Sequence, residues 1–253
     1  MHSVDVVYRF TDGMAQRELD GELALLNAAE TARRRSFLFA TDRRDYTVAH
    51  ALLRRALSRR RPVPPEAWRF EPSGAGKPQI AAHFKEGSSL QFSLSHTRGL
   101  VACAVGDGID IGVDVEAIGR SWAGDDLVSR FFSPSEARDL ASQPLPDRRV
   151  RFIELWSLKE AYLKANGLGL AQPLDSCRFE FISESDLQFQ HDDARGGPWR
   201  FALYALGETE AFRLAVAVRS RDAALDHPLR VRDMRGDSHD ARLIRASSHT
   251  GAR

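Results

Sequence analysis

Two short stretches hold the residue types that do chemistry. Gly-Val-Asp-Val-Glu at 112–116 sets two carboxylates two residues apart in an apolar run, and Trp-Ser-Leu-Lys-Glu-Ala-Tyr-Leu-Lys at 156–164 adds a third carboxylate beside two lysines. On a strand, side chains alternate faces, so Asp114 and Glu116 point one way and Val113 and Val115 the other. On a helix, Trp156, Glu160 and Lys164 are four apart and share a stripe. Carboxylates on one face repel unless a cation or proton shares the site. Carboxylate oxygens with water and phosphate suit Mg²⁺, and no Cys/His spacing points to zinc. A divalent cation and a phosphate ester held together, hence magnesium-dependent transfer chemistry, is the expectation.

Plainer readings stand beside it. D-x-E on an exposed edge strand means nothing, and Glu160–Lys164 read alone is a surface pair worth a few tenths of a kcal/mol. Ile109, Ile111, Val113, Val115 and Ile118 predict a core strand rather than a free edge, and Trp156 predicts a stripe that faces something. Lys159 is about 100° round the helix from Glu160 and in reach of a neighbouring surface.

Further candidates lie upstream. His96, in Phe-Ser-Leu-Ser-His-Thr, ends a strand whose Ser93, Ser95 and Thr97 share a face. A polar strand end beside a basic partner suits phosphate, although a hydrogen-bonded structural His is an equal reading. Lys77, in Gly-Ala-Gly-Lys-Pro, sits in a turn without the spacing of a P-loop. Arginines crowd 33–61: Arg33–Arg35, Arg43, Arg44, Arg54, Arg55 and Arg59–Arg61 form either a solvated helix face or a landing site for a polyanion such as a nucleotide.

The elements that must position these residues are partly readable. Alternation over 3–10 predicts a half-buried strand; 19–35 reads as one helix through Leu23, Leu26 and Ala29; 45–58 is a stronger helix stopped by Pro62 and Pro64. A loop spans 72–78, followed by a hairpin (FSLSH, LVACAV) and a third strand, IDIGVDVEAI. Ser133-Pro-Ser-Glu136 is a capping box with Pro at the first helical position. A long helix covers 150–166, ended by Gly167 and Gly169, and strands are expected at 176–182, 199–206 and 212–218. The expected division is 1–112, 113–220, and a loosely ordered polar tail over 221–253.

Lys+Arg 36 against Asp+Glu 35 gives no global pull toward nucleic acid or membrane. Cys103 and Cys177 lie in apolar runs and read as reduced buried thiols, which fits a cytosolic compartment. No N-terminal signal is apparent, and no apolar run approaches the roughly 18–20 residues of a membrane span. A magnesium-dependent phosphodiesterase or nuclease, and a non-catalytic nucleic-acid binder using the arginine block, remain open on the residues alone.

The order of segments is more specific than any one of them: a basic helix pair, G-K-P, F-S-x-S-H, G-x-D-x-E, F-F-S-x-x-E, then W-S-x-K-E-x-x-x-K with G-x-G. Over roughly residues 30–180, with strands to about 218, the chain resembles the 4′-phosphopantetheinyl transferases, the broad-specificity type acting on secondary-metabolite carrier proteins. The resemblance implies an α+β fold of two pseudo-duplicated half-domains with the active site between them. It implies that Asp114, Glu116 and Glu160 hold Mg²⁺ with the pyrophosphate of coenzyme A, that Lys164 touches the same phosphates, and that Glu160 is the base. Arg33, Arg54, Lys77, Ser95 and His96 match positions contacting the nucleotide end, with Arg55 competing for the place of Arg54. Glu136 matches the acid of the F-F-S-x-x-E helix without an assigned role, and Glu30 stands where relatives can carry a basic residue. The partner implied is an apo acyl or peptidyl carrier protein, docking near Trp122, Arg130, Phe131 and Arg138, with release of 3′,5′-adenosine bisphosphate, and the chain working as a monomer in the cytoplasm.

Overall fold

Residues 3–72, 78–87, 89–119, 125–167, 173–191, 198–220, 229–234 and 241–247 are described by a computed structural model. The chain forms two compact units, one from Met1–Gly108 with His227–Ser238, the other from Ile109–Asp226 with His239–Arg253. The first division therefore falls at Gly108/Ile109 rather than after 112, so the whole D-x-E strand belongs to the second unit.

In the first unit, β1 (Val4–Phe10) is followed by α1 (Gln16–Leu23), α2 (Ala28–Arg35) and α3 (Ala40–Ser58). A two-stranded hairpin, β2 (Phe70–Pro72) with β3 (Pro78–Ile80), precedes β4 (Leu90–Thr97) and β5 (Leu100–Asp107). The expected helix over 19–35 is two helices. Asn27 caps α2, its side chain accepting from the Glu30 amide at 2.8 Å while Glu30 Oε2 accepts from the Asn27 amide at 2.9 Å. That reciprocal box is an N-terminus signature in the middle of the apolar pattern.

β5, a continuous apolar run, sits between β1 and β4, antiparallel to both. α3 lays Val48, Leu52 and Ala56 against Val7, Val101, Cys103 and Val105, each large apolar side chain contributing about 1.5–3 kcal/mol on burial. β1 is buried on both faces from Val4 to Tyr8 rather than half-buried, and its one charged residue there, Asp5, is matched by Arg60 at 2.9 Å.

The second unit repeats this order. β6 (Ile109–Ala117) leads into α4 (Asp125–Phe131), α5 (Pro134–Ser142) and α6 (Leu145–Asn166). A two-stranded hairpin, β7 (Cys177–Phe181) with β8 (Leu187–His191), then precedes β9 (Trp199–Leu206) and β10 (Phe212–Ser220). The pairing repeats too: β1-β5-β4 in one sheet and β6-β10-β9 in the other, all antiparallel. The fold is thus α+β and duplicated in topology without a residue-level repeat.

The expectation of a loose tail over 221–253 is corrected across its described residues. β11 (Leu229–Asp233) adds parallel to β1, and β12 (Ala241–Ala246) adds antiparallel to β9, with an irregularity between Leu243 and Arg245. Polar, arginine-rich sequence carries little strand signal; free sheet edges supply the partner that local propensity does not. Among the described residues no helix is long and apolar enough to cross a membrane.

Candidate active site

The expected carboxylates lie inside the second unit, on β6 and on the α6 helix that packs over it. Among the described residues β6 pairs antiparallel with β10. Asp114 and Glu116 are 4% and 7% exposed, with α6 over their face. The prediction of a core strand holds in its burial, with Ile109, Ile111, Val113 and Val115 all buried.

Gly112 permits this cover. A Cβ placed there would fall 1.8 Å from the carbonyl oxygen of Ala161 and 2.7 Å from the amide nitrogen of Ala165. Helix and strand backbones approach so closely that no side chain fits between them. Two residues along the same face, Asp114 Oδ1 accepts from Lys164 Nζ at 2.7 Å. Lys164 lies one turn beyond Glu160, and lysine side chains on a helix lean toward its N-terminus. Gly167 ends the helix in the left-handed conformation at φ 70°.

On α6, Trp156, Glu160 and Lys164 form the half-buried stripe of a helix otherwise buried over Phe152–Ala165. Trp156 packs its ring against Phe131 and Phe152, with centroids at 5.7 and 6.1 Å, which anchors the stripe one turn before Glu160. Burial pushes the Glu160 carboxyl above its ordinary range; the Asp114 charge pushes the same way, Lys164 opposes, and Glu116 adds to the rise. Three acids thus share one field with one ammonium beside them.

The expected triad is not preassembled: no group of three or more His, Cys, Asp or Glu among the described residues is gathered to hold a metal ion. The donor set still fits Mg²⁺ in kind, being carboxylate oxygens only. Burial first, and then the charges of Asp114 and Glu116, raise the proton affinity of Glu160, and a divalent cation would relieve the charge part of that cost.

Lys159 and Glu136 have a different task. Lys159 is fully buried and donates to Leu174 O at 2.7 Å, Cys177 O at 2.6 Å and Glu136 Oε2 at 2.9 Å. Glu136 also accepts from the Ser133 and Phe179 amides at 2.7 and 2.9 Å. This pair joins α5, α6 and β7, so Lys159 does reach a neighbouring surface, as the helical angle allowed, and is buried there. Cys177 beside it has its thiol pushed up to about 12, chiefly by burial, and burial raises Cys103 further; both are free and inert.

The remaining expected site residues lie in the first unit. Ser95 is buried and His96 exposed, adjacent on β4 and so on opposite faces. Arg33 is exposed in the last turn of α2, its guanidinium 5.3 Å from the Phe37 ring. Arg54 is corrected. It is fully buried and donates to Glu30 Oε2 at 2.7 Å and to the carbonyls of Pro65 and Trp68 at 3.0 Å, so its charge is used inside the unit. Glu30 also meets His50 Nδ1 at 3.0 Å, and the Tyr46 ring lies tilted at 34° to that imidazole, with centroids 4.1 Å apart. Lys77 and Trp122 lie outside the described residues. Arg130 and Arg138 are exposed, and Phe131 is half-buried against Trp156.

Sequence reasoning missed Glu154 and Arg213, a buried pair at 3.0 Å on the same face as the carboxylates. Each looks like an ordinary surface charge in its segment, and only the pairing of β10 with β6 puts Arg213 opposite Glu116.

Comparison with known proteins accounts for both units. A model of the 4′-phosphopantetheinyl transferase superfamily matches residues 110–217, and a model of the N-terminal part of 4′-phosphopantetheinyl transferases matches 14–107. The 4′-phosphopantetheinyl transferase HetI of Nostoc sp. is 35% identical over 166 residues, covering 66% of this chain and 70% of that protein. A 4′-phosphopantetheinyl transferase of Bacillus subtilis is 32% identical over 205 residues, covering 81% and 87%. The transferase Sfp of Bacillus subtilis is 26% identical over 181 residues, covering 72% and 78%. With both halves matched by models of the family and relatives 32–35% identical, the chain belongs to the 4′-phosphopantetheinyl transferase superfamily and is an enzyme of that kind.

Proposed function

We propose that this enzyme moves 4′-phosphopantetheine from coenzyme A to a serine of an apo acyl or peptidyl carrier protein of secondary metabolism, with Mg²⁺, releasing 3′,5′-adenosine bisphosphate. The observation that supports it best is the convergence of Asp114, Glu116, Glu160 and Lys164 where α6 meets β6. Asp114, Glu116 and Glu160 would hold Mg²⁺, which when bound neutralises phosphate charge at the scissile linkage.

This chain's residues do the rest. Lys164 has an ammonium already placed among the acids, and on coenzyme A binding it shifts to the pyrophosphate oxygens. Glu160, with raised proton affinity and partial exposure, takes the serine hydroxyl proton as that oxygen attacks the β-phosphorus. The bond from phosphorus to the adenosine-side bridging oxygen breaks, and the bisphosphate leaves. Arg33, Ser95, His96 and Lys77 are assigned to the nucleotide end of coenzyme A. Two units of like topology in one chain suit a monomer, and two free buried thiols suit a cytoplasmic protein.

The test is to mix the protein with an apo carrier protein, coenzyme A and Mg²⁺ and weigh the carrier by mass spectrometry. The carrier gains one phosphopantetheine, and the gain disappears with EDTA. Coenzyme A cleavage without carrier modification would instead support a phosphodiesterase.

A further inference from the structure

Arg213 lies directly opposite Glu116 in the β10–β6 ladder. Such partners share a face with Cβ atoms about 4.5–5.5 Å apart, and opposite charges placed so attract. Left to the sheet, the Arg213 guanidinium would settle on Glu116 and neutralise it. Its bonds run elsewhere. Nε donates to Glu154 Oε1 at 3.0 Å, and Nη1 donates to the carbonyls of Glu210 and Phe212 at 2.9 and 3.3 Å. Glu154 belongs to α6, which runs antiparallel to β6: Gly112 meets Ala161 and Ala165, whereas the Glu116 end of the ladder meets Glu154.

A second arginine backs this carboxylate. Arg245 of β12 stands 3.8 Å from Glu154 Oε2, with its guanidinium over the Phe181 ring and a hydrogen bond to Ser183 O. β12 lies beyond both family matches, which end at residues 107 and 217. Glu154 and Arg213 are 5% and 6% exposed, so the pair is desolvated and its geometry constrained.

We propose that Glu154 is a positioning residue for metal binding: it holds the Arg213 guanidinium away from Glu116 and so keeps the charge of that carboxylate for the cation. The inference rests on the assignment of Glu116 as a metal ligand. Arg213 also donates to the carbonyls of Glu210 and Phe212, and Glu154 directs where the rest of its charge goes.

The experiment titrates Mn²⁺ alone into the full chain, following the free ion by electron paramagnetic resonance, and records the Mg²⁺ concentration giving half-maximal carrier modification. Thermal melting is measured for every variant. Glu154→Gln releases Arg213 to Glu116 and weakens Mn²⁺ binding about tenfold, as outer-shell changes do. Glu154→Asp, which keeps the charge on a shorter arm, falls between. Glu154→Gln with Arg213→Gln restores binding to within about twofold of the parent, because the competing cation is gone. A purely structural pair would show no such rescue.

Parental Mn²⁺ affinity in Glu154→Gln, or a double variant no better than Glu154→Gln, overturns the proposal. If the parent transfers the group but Glu116→Gln does not affect Mn²⁺ binding, the assignment of Glu116 fails and this inference with it. If the parent neither modifies a carrier nor binds Mn²⁺, the proposed function is what fails.

Discussion

Gly112 and Ala161 are in backbone contact: the space a Cβ would take at Gly112 lies 1.8 Å from the Ala161 carbonyl oxygen. This approach lets Lys164 reach Asp114 and brings Glu160 into the field of both strand carboxylates. Gly112→Ala forces α6 away from β6. Overpacking of this kind costs about 1–3 kcal/mol, and an ångström of misplacement costs about 10²-fold in rate. Carrier modification should fall by about that factor while coenzyme A still binds. Near-parental turnover in the purified variant would show that the close approach does not set the site.

Glu160→Gln separates activity from stability. Its carboxyl binds a proton more tightly folded than unfolded, so it contributes stability below the unfolded value that is lost as pH rises through the folded one. Removing the charge should lower turnover by about 10²–10⁴ while the melting temperature at pH 8 rises or holds. A variant that loses activity and melts lower would assign Glu160 a structural part instead.

Lys159→Met leaves Glu136 charged and buried without its partner, along with the carbonyls of Leu174 and Cys177. Breaking such a pair costs about 3–5 kcal/mol. Urea denaturation should show this loss, with the midpoint falling accordingly. A shift within error would mean that water or repacking replaces the ammonium.

Arg54 and Arg33 should part company despite similar sequence settings. Arg54→Ala strands Glu30 and two carbonyls and should cost about 3–5 kcal/mol in stability. Arg33→Ala, at an exposed position, should leave melting unchanged and raise the KM for coenzyme A more than it lowers kcat. An unchanged KM would remove Arg33 from the nucleotide end.

Acid should loosen the first unit through Glu30. Burial alone would raise its pKa, but hydrogen bonds from His50 and the Asn27 amide and the charge of Arg54 outweigh it, leaving the carboxyl below its ordinary 4.5. A depressed folded pKa stabilises above the unfolded value and loses that contribution as pH falls through the folded one. Melting temperature should drop below about pH 4.5, and the drop should be smaller in Glu30→Gln.

The sequence by itself determined the family and most of the local structure. Asp114, Glu116, Glu160 and Lys164 are readable because strand and helix periods place each pair on one face. The capping box at Ser133, the αL glycine at 167 and the apolar run of β5 are local signals, and they were realised where they stand. What only the tertiary structure decided are the facts that depend on a distant partner. Arg54 and Lys159 look like surface cations, yet Glu30 and Glu136, 24 and 23 positions upstream, draw them into the interior. β11 and β12 carry almost no strand signal and form because β1 and β9 present edges to pair with. Arg213 faces Glu116 only through the β10–β6 register, and Glu154 reaches Arg213 only because Gly112 lets the helix lie flat on the strand. Local propensity acts over a few residues; burial, charge pairing and sheet edges act through space, and no window along the chain contains them.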